Sequence, residues 1–198
     1  FFKQKPAYEI ASCLVGSEMC IRDRYTDKIN ALAQANLSDK RFNKISNIDG
    51  QLFVVKPNIR VSSFPYTGGI KEFENSISLT DDPLIANIKN NGGIIVGLTN
   101  MDEAAFGGDT SSSFYGRCIN PINKKLSVGG SSGGSAAAIS SGIVKYSIGT
   151  DTMGSVRIPA SYCGIIGYKP SSLICSNKDL ILSLIHISEP TRQEAISY

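Results

Sequence analysis

Residues 129–135 are Gly-Gly-Ser-Ser-Gly-Gly-Ser, and the chain runs from them directly into Ala136-Ala137-Ala138-Ile139. Glycine accepts positive φ readily and lets the backbone come close to other groups. A helix starting just behind such a loop turns free N–H groups and its positive dipole end toward whatever the loop approaches. Gly/Ser composition also suits a flexible linker, but here the low complexity stops at Ser135 and a small-residue helical stretch continues to Val144. A phosphate loop would close on Gly-Lys-Ser/Thr, and no lysine follows Gly134. The segment therefore reads as a tight turn pinned to a thin helix, which must pack against other structure.

The surrounding pattern supplies that structure. Residues 25–50 are polar and mildly helical, with Ala31–Ala35 the best helical piece. Leu52–Val55 and Ile94–Leu98 are short apolar runs ended by turn residues, as buried strands are. Asp82-Pro83 ahead of Leu84, Ile85 and Ile88 predicts an N-capped helix with proline at its first position. Thr99-Asn100 predicts a short helix from Met101 to Phe106, residues 107–130 predict loop, and Tyr146–Ile148 is strand-like. Alternating strands and helices point to an α/β layered domain.

Composition narrows the function classes. The 198 residues carry 20 Lys+Arg, 17 Asp+Glu and a net charge of +3, too little to call for nucleic acid or a membrane surface. No apolar run reaches the roughly 18 residues needed to span a bilayer. Five cysteines are an odd count without metal-ligand spacing and suggest neither a disulfide framework nor a zinc site; Cys118, Cys163 and Cys175 fit reduced thiols of a cytoplasmic protein, and no cofactor is called for. The sole histidine is His186.

Both ends resemble translated sequencing-library adapters. Phe1–Ile10 and Leu14–Arg24 look like one primer and its transposon-end sequence, and Leu182–Arg192 with Ile196–Tyr198 looks like the same sequence from the opposite strand. Residues 1–24 and 182–198 are accordingly expected to be adapter-derived, leaving 25–181 as a partial domain. That interval holds 15 basic and 12 acidic residues, Cys118, Cys163 and Cys175, and no histidine. A Ser-His-Asp triad, a Cys-His dyad and a histidine metal site are absent from it.

A second glycine-serine segment, Gly149-Thr150-Asp151-Thr152-Met153-Gly154-Ser155-Val156-Arg157-Ile158-Pro159-Ala160, places a serine after successive peptide N–H groups. An exposed nucleophile beside an oxyanion hole needs this arrangement. Asp151 and Arg157 flank the serine and could pair to hold the loop. Taken together, Gly129–Ser135, Gly149–Ala160 and Cys163-Gly164-Ile165-Ile166-Gly167-Tyr168-Lys169-Pro170 closely resemble the amidase signature. Upstream, Phe53–Ile59 is similar to that family's strand-end lysine motif, and Gly97–Glu103 to the stretch between. The likeness runs over Leu52–Ser171. It implies a fragment of the amidase signature α/β/α fold, a mixed sheet between helical layers, with the C-terminal half of the domain missing.

The resemblance further implies a Ser–cis-Ser–Lys triad: Ser155 as nucleophile, Ser131 as the bridging serine, Lys56 as the base. The N–H groups of Thr152, Met153, Gly154 and Ser155 would form the oxyanion hole. Asp151, Arg157, Gly129, Gly130, Gly133 and Gly134 would support the loops. The activity implied is hydrolysis of a carboxamide C–N bond in a small-molecule substrate through an acyl-enzyme, without nucleic-acid or membrane partners; a homodimer of the full-length protein is compatible with it. The partial domain alone is expected to be inactive. Two positions depart from the pattern. Pro57 stands where an acidic residue usually follows the lysine, and Met153 stands where a second glycine is common. Two alternatives remain. One is the glutamine-hydrolysing A subunit of a tRNA-dependent amidotransferase, which usually has glutamine where Ile158 stands. The other is an inactive amidase-like scaffold or receptor, although such proteins typically lack a triad residue.

Overall fold

The computed structural model describes residues 27–171. The segments read as adapter-derived, 1–24 and 182–198, lie outside the described residues, as does Cys175. Among the described residues, four helices and three strands, with two single 3-10 turns at Lys71–Phe73 and Glu103–Ala105, follow in the order α1 (Lys28–Asp39), β1 (Leu52–Val55), α2 (Pro83–Asn90), β2 (Ile94–Leu98), α3 (Gly133–Ser140), β3 (Tyr146–Ile148) and α4 (Arg157–Tyr162).

The strands form a parallel sheet in the order β2-β1-β3. Every residue of β1 and β2 is buried, as expected of parallel strands covered on both faces. Leu52, Val54, Ile94 and Val96 face one cluster with Ala31 and Ala35 of α1 and Ala136–Ala138 of α3. Phe53, Val55, Ile95 and Leu98 face the other with Ile85 and Ile88 of α2. Ile95 and Leu98 share a face although they are three apart. The β1–β2 register shifts between Phe53 and Val54, so that Phe53 pairs with Ile95 and Val54 with Gly97. A bulge of this kind flips the alternation once.

Local chemistry sets the helix starts. Asp27 caps α1 through Asn30 N–H, and Asp82 caps α2 through Leu84 N–H with Pro83 at the first position. The loop after α1 closes on buried Asp49, which accepts from Ser38 Oγ, Arg41 and Ile45 N–H. The small-residue helix begins at Gly133 and stops at Ser140, short of the expected Val144. Gly142 takes φ +75°, and the N–H groups of Ile143 and Val144 return to Ala138 O, a left-handed C-terminal cap.

The structure corrects one predicted element and adds another. From Met101 to Phe106 there is only the Glu103–Ala105 turn, with Ala104 and Ala105 at φ 52° and 59°. Asn100 Oδ1 accepts the Met101 N–H instead of capping a helix, and Ala104 N–H leaves the local ladder for Gly68 O. Helix α4 is the addition; the sequence pattern hides it because it contains Pro159. That proline sits in the first turn, where a missing N–H costs no intrahelical bond.

Candidate active site

The carboxyl ends of all three strands converge, the usual place for a site in a parallel α/β sheet. Lys56 follows β1 and continues its ladder by donating its N–H to Ile148 O at 2.9 Å. The side chain is fully buried. Its Nζ lies 2.8 Å from Ser131 Oγ and 3.0 Å from Thr150 Oγ1. Burial pushes the Lys56 amine from an ordinary 10.5 down to about 7, although the carboxylates of Asp102 and Asp151 act in the opposite direction. Desolvation of the ammonium outweighs two attractive charges. A substantial share of the lysine is therefore neutral near pH 7.

Ser131 is also fully buried, and its peptide bond with Gly130 is cis. Its carbonyl accepts from Asp102 N–H at 3.2 Å. The glycines of this loop lie in close approach to neighbouring groups. A Cβ on Gly129, which has φ +76°, would stand 2.8 Å from Pro159 Cα. A Cβ on Gly134 would collide with the Asn100 backbone, and one on Gly130 with the Asp102 carboxylate. Gly133 donates its N–H to Thr110 Oγ1 at 3.0 Å.

Ser155 lies at the head of α4 and is half-buried. Its carbonyl accepts from Ser132 N–H at 3.1 Å, which ties the two serine loops together. The Ser155 hydroxyl has no hydrogen-bond partner among the described residues, and no direct Ser131–Ser155 hydroxyl contact forms. Asp151 organises the loop. It accepts from Gly154 N–H (2.8 Å), Val156 N–H and Arg157 N–H (3.2 Å each), and both of its oxygens meet the Arg157 guanidinium at 2.9 Å. Burial alone would raise the Asp151 carboxyl. Arg157 and the three backbone donors override it and hold the carboxyl at about 2. The four expected oxyanion donors thus separate. Gly154 N–H is engaged by Asp151, while the N–H groups of Thr152, Met153 and Ser155 have no partner among the described residues. The Met153 side chain is 71% exposed.

Three further residues belong to the site, although the sequence pattern assigns them no part. Thr150, buried, contacts Lys56 and accepts from Asn58 Nδ2 at 3.0 Å. Asp102 is fully buried beside the Ser131 loop. Thr110, also buried, lies in a stretch that reads only as loop. Thr150 and Asp102 stand inside the family-like motifs and could be found by asking which side chains must neighbour a buried lysine. Nothing in the pattern of residues 107–130 singles out Thr110. A cavity of about 800 Å³ flanks β3 and reaches Ser132, Thr150, Asp151 and Val156. Among the described residues, no cluster of His, Cys, Asp and Glu could hold a metal ion, and no helix is long and apolar enough to cross a membrane.

Known proteins share this architecture. The A subunit of glutamyl-tRNA(Gln) amidotransferase from Endomicrobium trichonymphae is 46% identical over 144 residues, 71% of this chain and 30% of the relative. The crystal structure of the Thermotoga maritima protein of that name superposes with a TM-score of 0.61 at 41% identity, over 62% of this chain and 27% of the other. A bacterial aryl acylamidase of the amidase signature family shares the fold at a TM-score of 0.76 and 24% identity, over 85% of this chain and 37% of the other. The chain spans about a third of the length of the curated relatives it matches. The Amidase family model matches residues 24–194, and the chain belongs to that family, the amidase signature enzymes.

Proposed function

We propose that the protein of which this chain forms part cleaves a carboxamide C–N bond by acyl transfer to Ser155. The observation that carries the reading is the fully buried Lys56 amine, 2.8 Å from Ser131 Oγ, whose pKa is brought down to about 7 by burial. Neutral Lys56 accepts the Ser131 hydroxyl proton as Ser131 takes the proton of Ser155, and Ser155 Oγ attacks the amide carbon. The 24 positions from Ser131 to Ser155 are drawn together by the Ser132–Ser155 backbone bond, and the relay requires the Ser155 hydroxyl to come within hydrogen-bond reach of Ser131 Oγ. The N–H groups of Thr152, Met153 and Ser155 would receive the developing oxyanion. Asp151 holds the loop that presents them. Ser131 then returns a proton to the leaving amine, and water releases the acid from Ser155.

Identity of 46% to the A subunit of an amidotransferase favours a second reading, in which the amide is glutamine and the released ammonia is used within a larger assembly. Ile158, in place of the usual glutamine, sets this reading second. Ammonia release by the full-length protein from glutamine and from a panel of simple aliphatic and aryl amides separates the two. Turnover of simple amides with glutamine inert supports the amidase reading, and the reverse supports the second. No release from any amide, or release undiminished in Ser155→Ala, refutes both.

A further inference from the structure

The buried elements around Ser131 include a polar unit that the acyl-transfer scheme leaves unused. Asp102 lies four residues beyond Leu98, the end of β2. Its backbone N–H donates to Ser131 O at 3.2 Å. Its side chain gathers the following loop: Thr110 N–H donates to Oδ2 at 2.9 Å, and Ser112 donates to Oδ1 through Oγ at 2.9 Å and N–H at 3.3 Å. Thr110, so held, reaches back to the serine loop. Its hydroxyl donates to Gly129 O at 2.8 Å and accepts from Gly133 N–H at 3.0 Å. Ser131 is thus bracketed on its carbonyl by Asp102 and on both flanks by Thr110. Asp102 and Thr110 are each fully buried. Gly107 and Gly130 both pack against the Asp102 carboxylate so closely that a Cβ on either would overlap it.

We propose that Asp102 and Thr110 form a positioning unit, Thr110 fixing the Ser131 loop and Asp102 supplying buried negative charge beside Lys56. The proposal rests on the acyl-transfer reading of Ser155. It also accounts for Pro57, which provides no carboxylate immediately after Lys56. The carboxylates whose charge acts on Lys56 are Asp102, from the segment after β2, and Asp151, from the segment after β3, the latter already paired with Arg157. The other contacts of the Lys56 amine, Ser131 and Thr150, are neutral hydroxyls. Asp102 raises the proton affinity of the lysine against the burial that lowers it, and so sets how low in pH the base remains neutral.

The test is the rate at which a fluorophosphonate labels Ser155 in the full-length protein, followed by mass spectrometry from pH 5 to 9. Wild-type labelling elsewhere than Ser155 refutes the acyl-transfer reading itself, independently of both variants. With wild-type labelling at Ser155, Asp102→Asn is expected to move the acid limb of the rate profile to lower pH by about half a unit or more, since an attractive charge near the lysine is removed. Thr110→Val keeps the N–H bond to Asp102 and loses both hydroxyl bonds. It is expected to slow labelling by about tenfold or more through misplacement of Ser131, with the acid limb unmoved. An Asp102→Asn profile that only scales down, with its limb at the wild-type pH, overturns the electrostatic half. Thr110→Val at the wild-type rate overturns the positioning half and, should Asp102→Asn fail to fold, decides the proposal alone.

Discussion

Replacing Lys56 with methionine should change how the protein's stability depends on pH, in a direction and amount set by the site. Methionine keeps an unbranched side chain of similar reach and cannot be protonated. In the wild type, Lys56 titrates at about 7 when folded against an ordinary 10.5, so between those values the unfolded chain binds the proton and the folded one does not. Stability then rises with pH across the window and is lost as pH falls toward 7. At about 1.4 kcal/mol for each unit of pKa, the full penalty is on the order of 5 kcal/mol, and about 2 kcal/mol of it should be recovered between pH 7 and pH 9. Urea denaturation of wild type and Lys56→Met at several pH values measures this as a difference of slopes. The remaining titrating groups are common to both proteins and cancel. The absolute difference is less informative, because methionine also leaves the Ser131 and Thr150 hydroxyls without their shared partner. Parallel pH profiles for the two proteins would refute the claim that the folded interior strips the proton from this lysine.

Amide hydrolysis by the wild type should fall as pH is lowered through about 7, since the base must be neutral; a rate flat from pH 8 to pH 5 would contradict this. Ser131→Ala should cost about 10²–10⁴-fold in turnover, measured by ammonia release, with the circular dichroism spectrum unchanged. Asp151→Asn should impair turnover more than Arg157→Ala. The first disrupts a carboxylate that gathers the Gly154, Val156 and Arg157 N–H groups, whereas the second removes a half-exposed ion pair that solvent screens. Gly129→Ala should lower stability by about 1–3 kcal/mol through its positive φ and the approach of Pro159, read from the urea midpoint.

The parts of this molecule with strong local signals were legible in its sequence. Leu52–Val55 and Ile94–Leu98 are apolar, β-branched and bounded by turn residues, and both form strands with those limits. Asp82-Pro83 carries its cap in its side chain. The failures occur where long-range bonds override local preference. Thr99-Asn100 looks like a helix start, yet Asn100 spends its side chain on the Met101 N–H and the Gly116 carbonyl. Helix α4 is held by its packing on α3 and the Asp151 cage, neither of which leaves a periodic trace in Arg157–Tyr162. Lys56 and Ser131 are 75 residues apart, and their contact was available only through the motif likeness. Separation of Gly154 from the other oxyanion donors depends on where the Asp151 carboxylate turns, which no residue pattern encodes.

Fluorophosphonate labelling of the full-length wild type, mapped by tandem mass spectrometry, tests the central claim most directly: that a histidine-free relay of Lys56, Ser131 and Ser155 makes one serine nucleophilic. A single adduct on Ser155, strongly suppressed in Lys56→Met and Ser131→Ala, is expected. An adduct on another residue, or labelling of Ser155 at the wild-type rate in Lys56→Met, would contradict it.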